Sequence, residues 1–311
     1  MTYSRILGTG SFLPEKIATN HEISKLVDTS DEWIQERTGI VQRHLANCDD
    51  SSASMGAIAA KRALEGASIK AEQVDMIIVA TSTPDKIFPS TACLIQETLG
   101  IAGCPAFDIN AACAGFNYAF SVADNFIRSG FAKTVLVIGS EVMSRIINWQ
   151  DRGTCILFAD GAGAVLLGHS QSPGVHATHI HADGKYQDLL YTPGPLPLKG
   201  ITTPCQMKMR GNEVFKVAVN MLGKTVEQTL KLNNFTSDQI DWLVPHQANI
   251  RIIQAVAKKL SMPLEKVIIT VSQHGNTSAA SIPLALDTAI KQKKILPGHT
   301  ILMESFGGGF T

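Results

Sequence analysis

No apolar run in this sequence is long enough to span a bilayer, and the opening Met1-Thr2-Tyr3-Ser4-Arg5 lacks the basic region and apolar stretch of a secretory leader. Charge excess is missing as well. The 27 Lys and Arg balance 27 Asp and Glu, so neither nucleic acid nor a membrane surface is expected as a partner. Cysteines are few: six, at 48, 93, 104, 113, 155 and 205, with no C-x-x-C pair. That excludes a zinc knuckle and a disulfide framework and suits a reducing compartment, so a cytoplasmic location is expected. Gly8-Thr9-Gly10 is followed by Pro14 and no helix opens there, which rejects a dinucleotide reading. His176, His179 and His181 put two imidazoles on one face of a predicted strand, but a fourth ligand is wanting and no metal is expected. What remains is an ordinary globular balance: 311 residues, 45% hydrophobic and 17% charged, enough for a large core in one or two domains.

The stretch around which the chain is organised is Asp108-Ile109-Asn110-Ala111-Ala112-Cys113-Ala114-Gly115-Phe116. Phe107-Asp108-Ile109 reads as the end of a buried strand. From Phe116 on, Ala119, Phe120, Ala123, Phe126 and Ile127 recur at helical spacing. Cys113 is therefore predicted at a strand-to-helix turn, at or near the first turn of the helix. Free amide donors and the helix dipole there favour an anion, so a thiolate is expected to be accessible near neutral pH. A free Cys among Ala and Gly is more often simply a small core residue. The rest of the chain decides between these readings.

An internal repeat supplies the decision. Gln73-Val74-Asp75-Met76-Ile77-Ile78-Val79 matches Gln239-Ile240-Asp241-Trp242-Leu243-Val244-Pro245, and Thr134-Val135-Leu136-Val137 matches Thr300-Ile301-Leu302-Met303. Both offsets are 166, since 241 − 75 = 300 − 134 = 166. A shared offset suggests a duplicated βαβ unit. Strands are predicted at 75–81, 104–109 and 134–140, and again at about 241–246, 267–271 and 300–305. Short Val/Ile/Leu strands between amphipathic helices imply an α/β fold of mostly parallel sheets, covered on both faces and packed as αβαβα layers. The halves are expected at residues 1–172 and 173–311. Chemistry in such sheets collects at the C-terminal ends of strands. Cys113, His246 and Asn276 stand at three such ends, and 113 + 166 = 279 places Cys113 and Asn276 at nearly equivalent points. A thiolate can carry an acyl group as a thioester, while His and Asn can donate hydrogen bonds to a developing enolate. The glycines of Phe306-Gly307-Gly308-Gly309-Phe310 let backbone N–H groups approach a substrate carbonyl.

Several motifs now coincide: Asp31-Glu32-Trp33-Ile34, Arg37-Thr38-Gly39-Ile40, Phe88-Pro89-Ser90, Ala111-Ala112-Cys113-Ala114-Gly115-Phe116, Asp160-Gly161-Ala162-Gly163-Ala164, Gly211-Asn212-Glu213-Val214-Phe215, Pro245-His246-Gln247-Ala248-Asn249, His274-Gly275-Asn276-Thr277-Ser278 and the terminal glycine loop. With them nearly the whole chain resembles the thiolase superfamily, and within it the β-ketoacyl-(acyl carrier protein) synthase III family, the initiating condensing enzymes of bacterial fatty acid synthesis. The resemblance implies the thiolase fold and a two-step condensation. Cys113 takes an acyl group, usually acetyl, from acyl-CoA. Malonyl on acyl carrier protein then loses CO₂ and attacks the thioester, with His246 and Asn276 stabilising the enolate. It further implies an oxyanion hole from the amides of Cys113 and Gly308, and an apolar wall from Phe306. Trp33 and Arg152 would clamp the CoA adenine and Arg37 would lie near its phosphates, with Gly211 and Phe215 also at the CoA site and Phe88 and Met143 at the acyl pocket. The implied assembly is a homodimer in which Phe88 closes the partner's pocket. The carrier protein would dock on Lys216, Arg251, Lys258 and Lys259, of which Arg251 and Lys258 share a helix face. CoA thioester enters as substrate, and no cofactor is implied.

Two points depart from the family. Its members usually continue past the glycine loop with Trp-Gly and a final strand, whereas this sequence stops at Thr311. Tyr191–Gly200 is also unusually rich in Pro and Gly, so acyl and CoA contacts are not carried over there. Other readings fit less well. A thiolase would show a second Cys before the C-terminal glycines, where Glu304-Ser305-Phe306 has none, and an elongating ketosynthase would have a second His where Asn276 stands. The rivals left are a related acyl-CoA-dependent acyltransferase or a ketosynthase of secondary metabolism, and a non-catalytic subunit that only binds carrier protein.

Overall fold

The structure, a computed structural model, describes residues 2–194 and 205–311. Its central strands sort their side chains by parity. Met76, Ile78 and Ala80 share one buried cluster with Val135 and Val137, whereas Ile77, Val79, Leu136 and Ile138 belong to another. Successive residues of a strand face opposite ways, so a continuous apolar run means a sheet covered on both sides. Five strands form it, in the order Tyr3–Phe12, Asp160–Ser170, Thr134–Val142, Met76–Ala80, Ala106–Ile109. Thr134–Val142, Met76–Ala80 and Ala106–Ile109 pair in parallel, as the repeat implied. Tyr3–Phe12 and Asp160–Ser170 pair antiparallel, so the expectation of a mostly parallel sheet is corrected on that side. The small residues Gly161 to Ala164 there let a helix lie against the strand: a Cβ on Gly163 would stand 2.6 Å from the Leu284 nitrogen.

Five layers result. Helices Ser52–Ala67 and Thr91–Thr98 cover the outer face of this sheet. Helices Gly115–Arg128 and Ser281–Lys291 lie on its inner face, burying Phe116, Phe120 and Ile127 with Ile282 and Leu286 in one core. That core continues into Val244 and Ile268 of a second sheet. Among the described residues the second sheet pairs Trp242–Pro245 in parallel with Ile301–Glu304 and adds one bridge, Leu243 to Val267. The strand expected at 267–271 shrinks to that bridge because Val271–His274 coils into a helical turn. Helices Gly211–Leu232 and Ile250–Lys259 close the far side over Leu243 and Val267. The layers run αβαβα, the thiolase fold.

The duplication repeats at the level of single hydrogen bonds. Asp75 N–H donates to Thr134 O at 2.9 Å, and Asp241 N–H donates to Thr300 O at 2.9 Å. In return Thr134 N–H reaches the Asp75 carboxylate at 2.9 Å and Thr300 N–H reaches that of Asp241 at 2.7 Å. The turns Ala112–Ala114 and Ser278–Ala280 and the helix starts Gly115 and Ser281 keep the same spacing, 278 − 112 = 281 − 115 = 166.

Candidate active site

Cys113 sits in a tight turn, Ala112–Ala114, immediately before the helix that begins at Gly115. Asn110 Oδ1 accepts the Ala112 N–H at 3.2 Å, and Ala112 takes φ 46°. The second half repeats this turn: Asn276 Oδ1 accepts the Ser278 N–H at 2.9 Å and Ser278 takes φ 50°. The twin of Asn276 is therefore Asn110, since 276 − 110 = 166, and Cys113 is the twin of Ala279. The near-equivalence expected between Cys113 and Asn276 is corrected to that extent. The two turns pack against each other across the pseudo-twofold, and the Ser278 hydroxyl lies at the Cys113 thiol.

Burial pushes the Cys113 thiol up to about 12; the Ser278 hydroxyl opposes the rise and the charge of Glu141 adds to it. The expected thiolate at neutral pH is thus corrected. Desolvation of a group only 7% exposed is the largest cause of the rise. The resting group is a thiol. Glu141, wholly buried, accepts from Thr83 Oγ1 at 2.6 Å, Ser278 Oγ at 3.0 Å and Ser82 N–H at 3.0 Å. Burial also raises its pKa.

His246 ends the first strand of the second half, pinned by its N–H donating to Glu304 O at 2.8 Å. The side chain of Gln247 holds the strand end from the other side. It donates to Pro245 O at 2.8 Å and Ile268 O at 3.0 Å, and accepts the Thr270 N–H at 2.8 Å. The His246 ring meets Ser281 Oγ through Nδ1 at 2.6 Å and the edge of Phe306 at 5.7 Å between centroids. Burial drops its pKa to about 3, so the imidazole is neutral at physiological pH. Among the described residues neither His246 Nε2 nor Asn276 Nδ2 meets a protein partner, yet neither is one of the buried polar atoms left without one. Two side-chain nitrogens thus stand without a protein partner, Asn276 Nδ2 on the loop leading into the turn that packs against Ala112–Ala114 and His246 Nε2 on the ring beside Phe306.

The glycine loop closes the site. A Cβ on Gly307 would lie 2.6 Å from Ala111 O and 2.9 Å from Ala114 N, so only glycine fits against the Cys113 turn. Thr311 Oγ1 donates to Ala111 O at 2.9 Å and fixes the same pair of loops. Phe306 stacks on Phe310 at 6.0 Å. Gly308 stays next in the loop, facing Leu190, whose carbonyl a Cβ there would meet at 2.6 Å. Glu304, whose pKa burial alone raises to about 8, adds an unpaired carboxyl oxygen. Sequence reasoning missed Glu141, Ser278, Ser281 and Glu304. Glu141 and Glu304 each stand as one acid at the end of an apolar strand, a signal that could have found them.

The remaining candidates lie outside this buried trio. Arg152 stacks on Trp33 at 4.7 Å and Arg37 lies over the same ring at 5.7 Å. Trp33 and Arg37 belong to the helix Asp31–Thr38, which Gly39 ends at φ 77°. Arg251 covers Phe215 at 5.5 Å, with exposed Lys216 one residue further along the helix that begins at Gly211. Lys258 is exposed, and the stem of exposed Lys259 crosses Gly223. Open pockets of about 310 and 330 Å³ share Asp188 and Arg210, the second also lined by Lys216. Met143 is buried near Ile147 and Phe158. Phe88 does not line the site within one chain; it is 83% exposed. The strand expected under His176, His179 and His181 does not form: His176 lies edge-on to Phe235 and His179 Nε2 pairs with Asn233. No helix among the described residues is long and apolar enough to cross a membrane. Residues 195–200 of the Pro/Gly-rich segment lie outside the described residues.

Comparison with known proteins agrees with this architecture. Residues 107–184 match the family described as 3-oxoacyl-[acyl-carrier-protein (ACP)] synthase III, and residues 230–311 match its C-terminal counterpart. A relative from Thioalkalivibrio sulfidiphilus, named beta-ketoacyl-[acyl-carrier-protein] synthase III, is 56% identical over 100% of this chain and 98% of its own. One of the same name from Methylococcus capsulatus is 56% identical over 99% and 96%. The crystal structure of 3-oxoacyl-[acyl-carrier-protein] synthase III from Aquifex aeolicus superposes with TM-score 0.94 at 46% identity, covering 99% of this chain and 97% of that one. The priming beta-ketosynthase of the R1128 polyketide pathway also gives 0.94, at 35% identity, over 99% and 93%.

Proposed function

The chain belongs to the β-ketoacyl-[acyl-carrier-protein] synthase III family of condensing enzymes, and on that premise we propose that it joins an acyl-CoA primer, acetyl-CoA by preference, to malonyl-acyl carrier protein through an acyl-Cys113 intermediate. The product is a 3-oxoacyl-carrier protein, the first condensation of fatty acid synthesis. In the first half-reaction the Cys113 sulfur attacks the thioester carbonyl, and CoA leaves as the free thiol carrying the proton that Cys113 gives up. The amides of Cys113 and Gly308 hold the oxyanion. In the second, malonyl loses CO₂, the resulting enolate carbon attacks the acyl group, and Cys113 is expelled as a thiolate that takes one proton from solvent. A thiolate whose thiol is pushed up to about 12 is a strong base and takes that solvent proton readily.

The observation that carries this reading is the pair of open donors, His246 Nε2 and Asn276 Nδ2, each fixed through its other polar atom. Donors held before charge develops need no reorganisation when the enolate forms. Phe306 beside His246 presents an apolar wall to the malonyl carboxylate and so favours its loss. CoA enters past Trp33, its adenine separating Arg152 from the ring, with Arg37, Gly211 and Phe215 along the nucleotide. Lys216, Arg251, Lys258 and Lys259 receive the acidic carrier protein. Exposed Phe88 supports a homodimer in which it completes the partner's acyl pocket together with Met143. Incubation with acyl-CoAs of graded length and malonyl-carrier protein, followed by mass analysis, tests the reading. Acetoacetyl-carrier protein is the expected product. Primers accepted only on a polyketide carrier would favour the secondary-metabolism ketosynthase instead.

A further inference from the structure

The two halves differ at one pair of positions in a way that concerns the chemistry. In the first half Ala80 and Gly115 lie in contact, a Cβ on Gly115 falling 3.2 Å from that of Ala80. Adding 166 to each gives His246 and Ser281, whose side chains meet at 2.6 Å. Ser281, like Gly115, opens its helix. The first half builds that helix start without a hydroxyl, so the turn itself does not require one. The hydroxyl accompanies the histidine.

Counting donors fixes where its proton goes. The Gln247 N–H donates to Ser281 Oγ at 3.3 Å, and among the described residues the hydroxyl has one other partner, His246 Nδ1. Were Nδ1–H the donor, the oxygen would accept twice and its own hydrogen, on a side chain only 2% exposed, would have no acceptor; giving that hydrogen to the ring satisfies both groups. Nδ1 is then the acceptor nitrogen and the imidazole proton resides on Nε2, because the hydrogen bond at one ring nitrogen sets the state of the other. Nε2 is the nitrogen left open. We propose that Ser281 is the positioning residue that holds His246 in its Nε2–H tautomer and so makes it a donor to the substrate. The proposal rests on the role given above to His246 as enolate donor.

Ser281→Ala removes the hydroxyl with a good helix former, and Ser281→Thr keeps it. Nitrogen NMR of histidine-labelled protein, with the His246 signal identified by its loss in His246→Ala, reads the tautomer directly. Malonyl-carrier protein decarboxylation and single-turnover acylation of Cys113 read the two half-reactions. Wild type and Ser281→Thr should show protonated Nε2 and bare Nδ1. Ser281→Ala should lose that preference and decarboxylate about 10–100-fold more slowly, the effect that removing an orienting partner has on metal-bound histidines. Its loss should fall on kcat, with KM for malonyl-carrier protein and the acylation rate unchanged. A wild-type ring protonated on Nδ1 overturns the proposal. So does normal decarboxylation by Ser281→Ala when His246→Ala is impaired. Normal decarboxylation by His246→Ala itself overturns the enolate role, and this proposal with it.

Discussion

At the scale of single residues, the site sets two titratable side chains in surroundings that keep both uncharged at rest. Cys113 is held up to about 12 and His246 down to about 3, both chiefly by burial. A neutral imidazole donates without surrendering its proton, which suits stabilisation of an enolate rather than acid catalysis. Asn276→Ala should therefore slow malonyl decarboxylation by about 10²–10³-fold while acyl-Cys113 still forms. Separate assays of the half-reactions check this, and a variant that decarboxylates normally but resists acylation would reverse the roles. Buried histidines also tie stability to pH. His246 and His274 fall from 6.5 to about 3 and about 4, so between those values and 6.5 the unfolded chain holds more protons than the folded one. Their share of stability is complete above pH 6.5 and is lost as pH falls toward 4. Glu304, raised from 4.5 to about 8, acts oppositely, lowering stability as pH rises through that interval. Urea unfolding of His274→Phe should show a shallower loss between pH 6.5 and 4 than wild type; an equal slope contradicts the assignment. Cys113, His246 and Asn276 were legible in the sequence as polar residues at strand ends. Ser281 was not, because a hydroxyl becomes informative only once folding places it against His246.

At the scale of elements, the repeat was the strongest signal because the aspartate that begins each half's first strand ties down the same neighbouring chain. The antiparallel edge was not visible. Asp160-Gly161-Ala162-Gly163-Ala164 reads as a motif of small residues, and nothing local says that it pairs with both Tyr3–Phe12 and Thr134–Val142. Its glycines make sense only against the helix Ser281–Lys291. Gly163→Ala would set a methyl 2.6 Å from Leu284 N and 2.8 Å from Pro283 carbon atoms. It should cost about 1–3 kcal/mol, the usual range for overpacking. Chemical unfolding measures it, and a variant as stable as wild type would mean that this helix is free to move away. Since that helix carries Ser281 at its start, the same substitution should also slow decarboxylation.

At the scale of the whole molecule, a chain with no net charge presents a local basic group: Arg251 over Phe215, with Lys216 beside it and Lys258 on the same helix face as Arg251. An acidic carrier protein would be steered there mainly through its association rate, an effect that salt weakens. Arg251→Glu should raise KM for malonyl-carrier protein, as added salt should for wild type, and should leave acylation by free acetyl-CoA nearly unchanged. Equal damage to both half-reactions would place the patch at a shared entrance instead. All of this depends on Cys113 carrying the acyl group. Brief incubation with labelled acetyl-CoA, followed by peptide mass mapping of wild type and Cys113→Ser, measures that directly. One acetyl on the Cys113 peptide, absent from a folded Cys113→Ser, is the expected result; acetyl on any of the other five cysteines, or retained by Cys113→Ser, would contradict it.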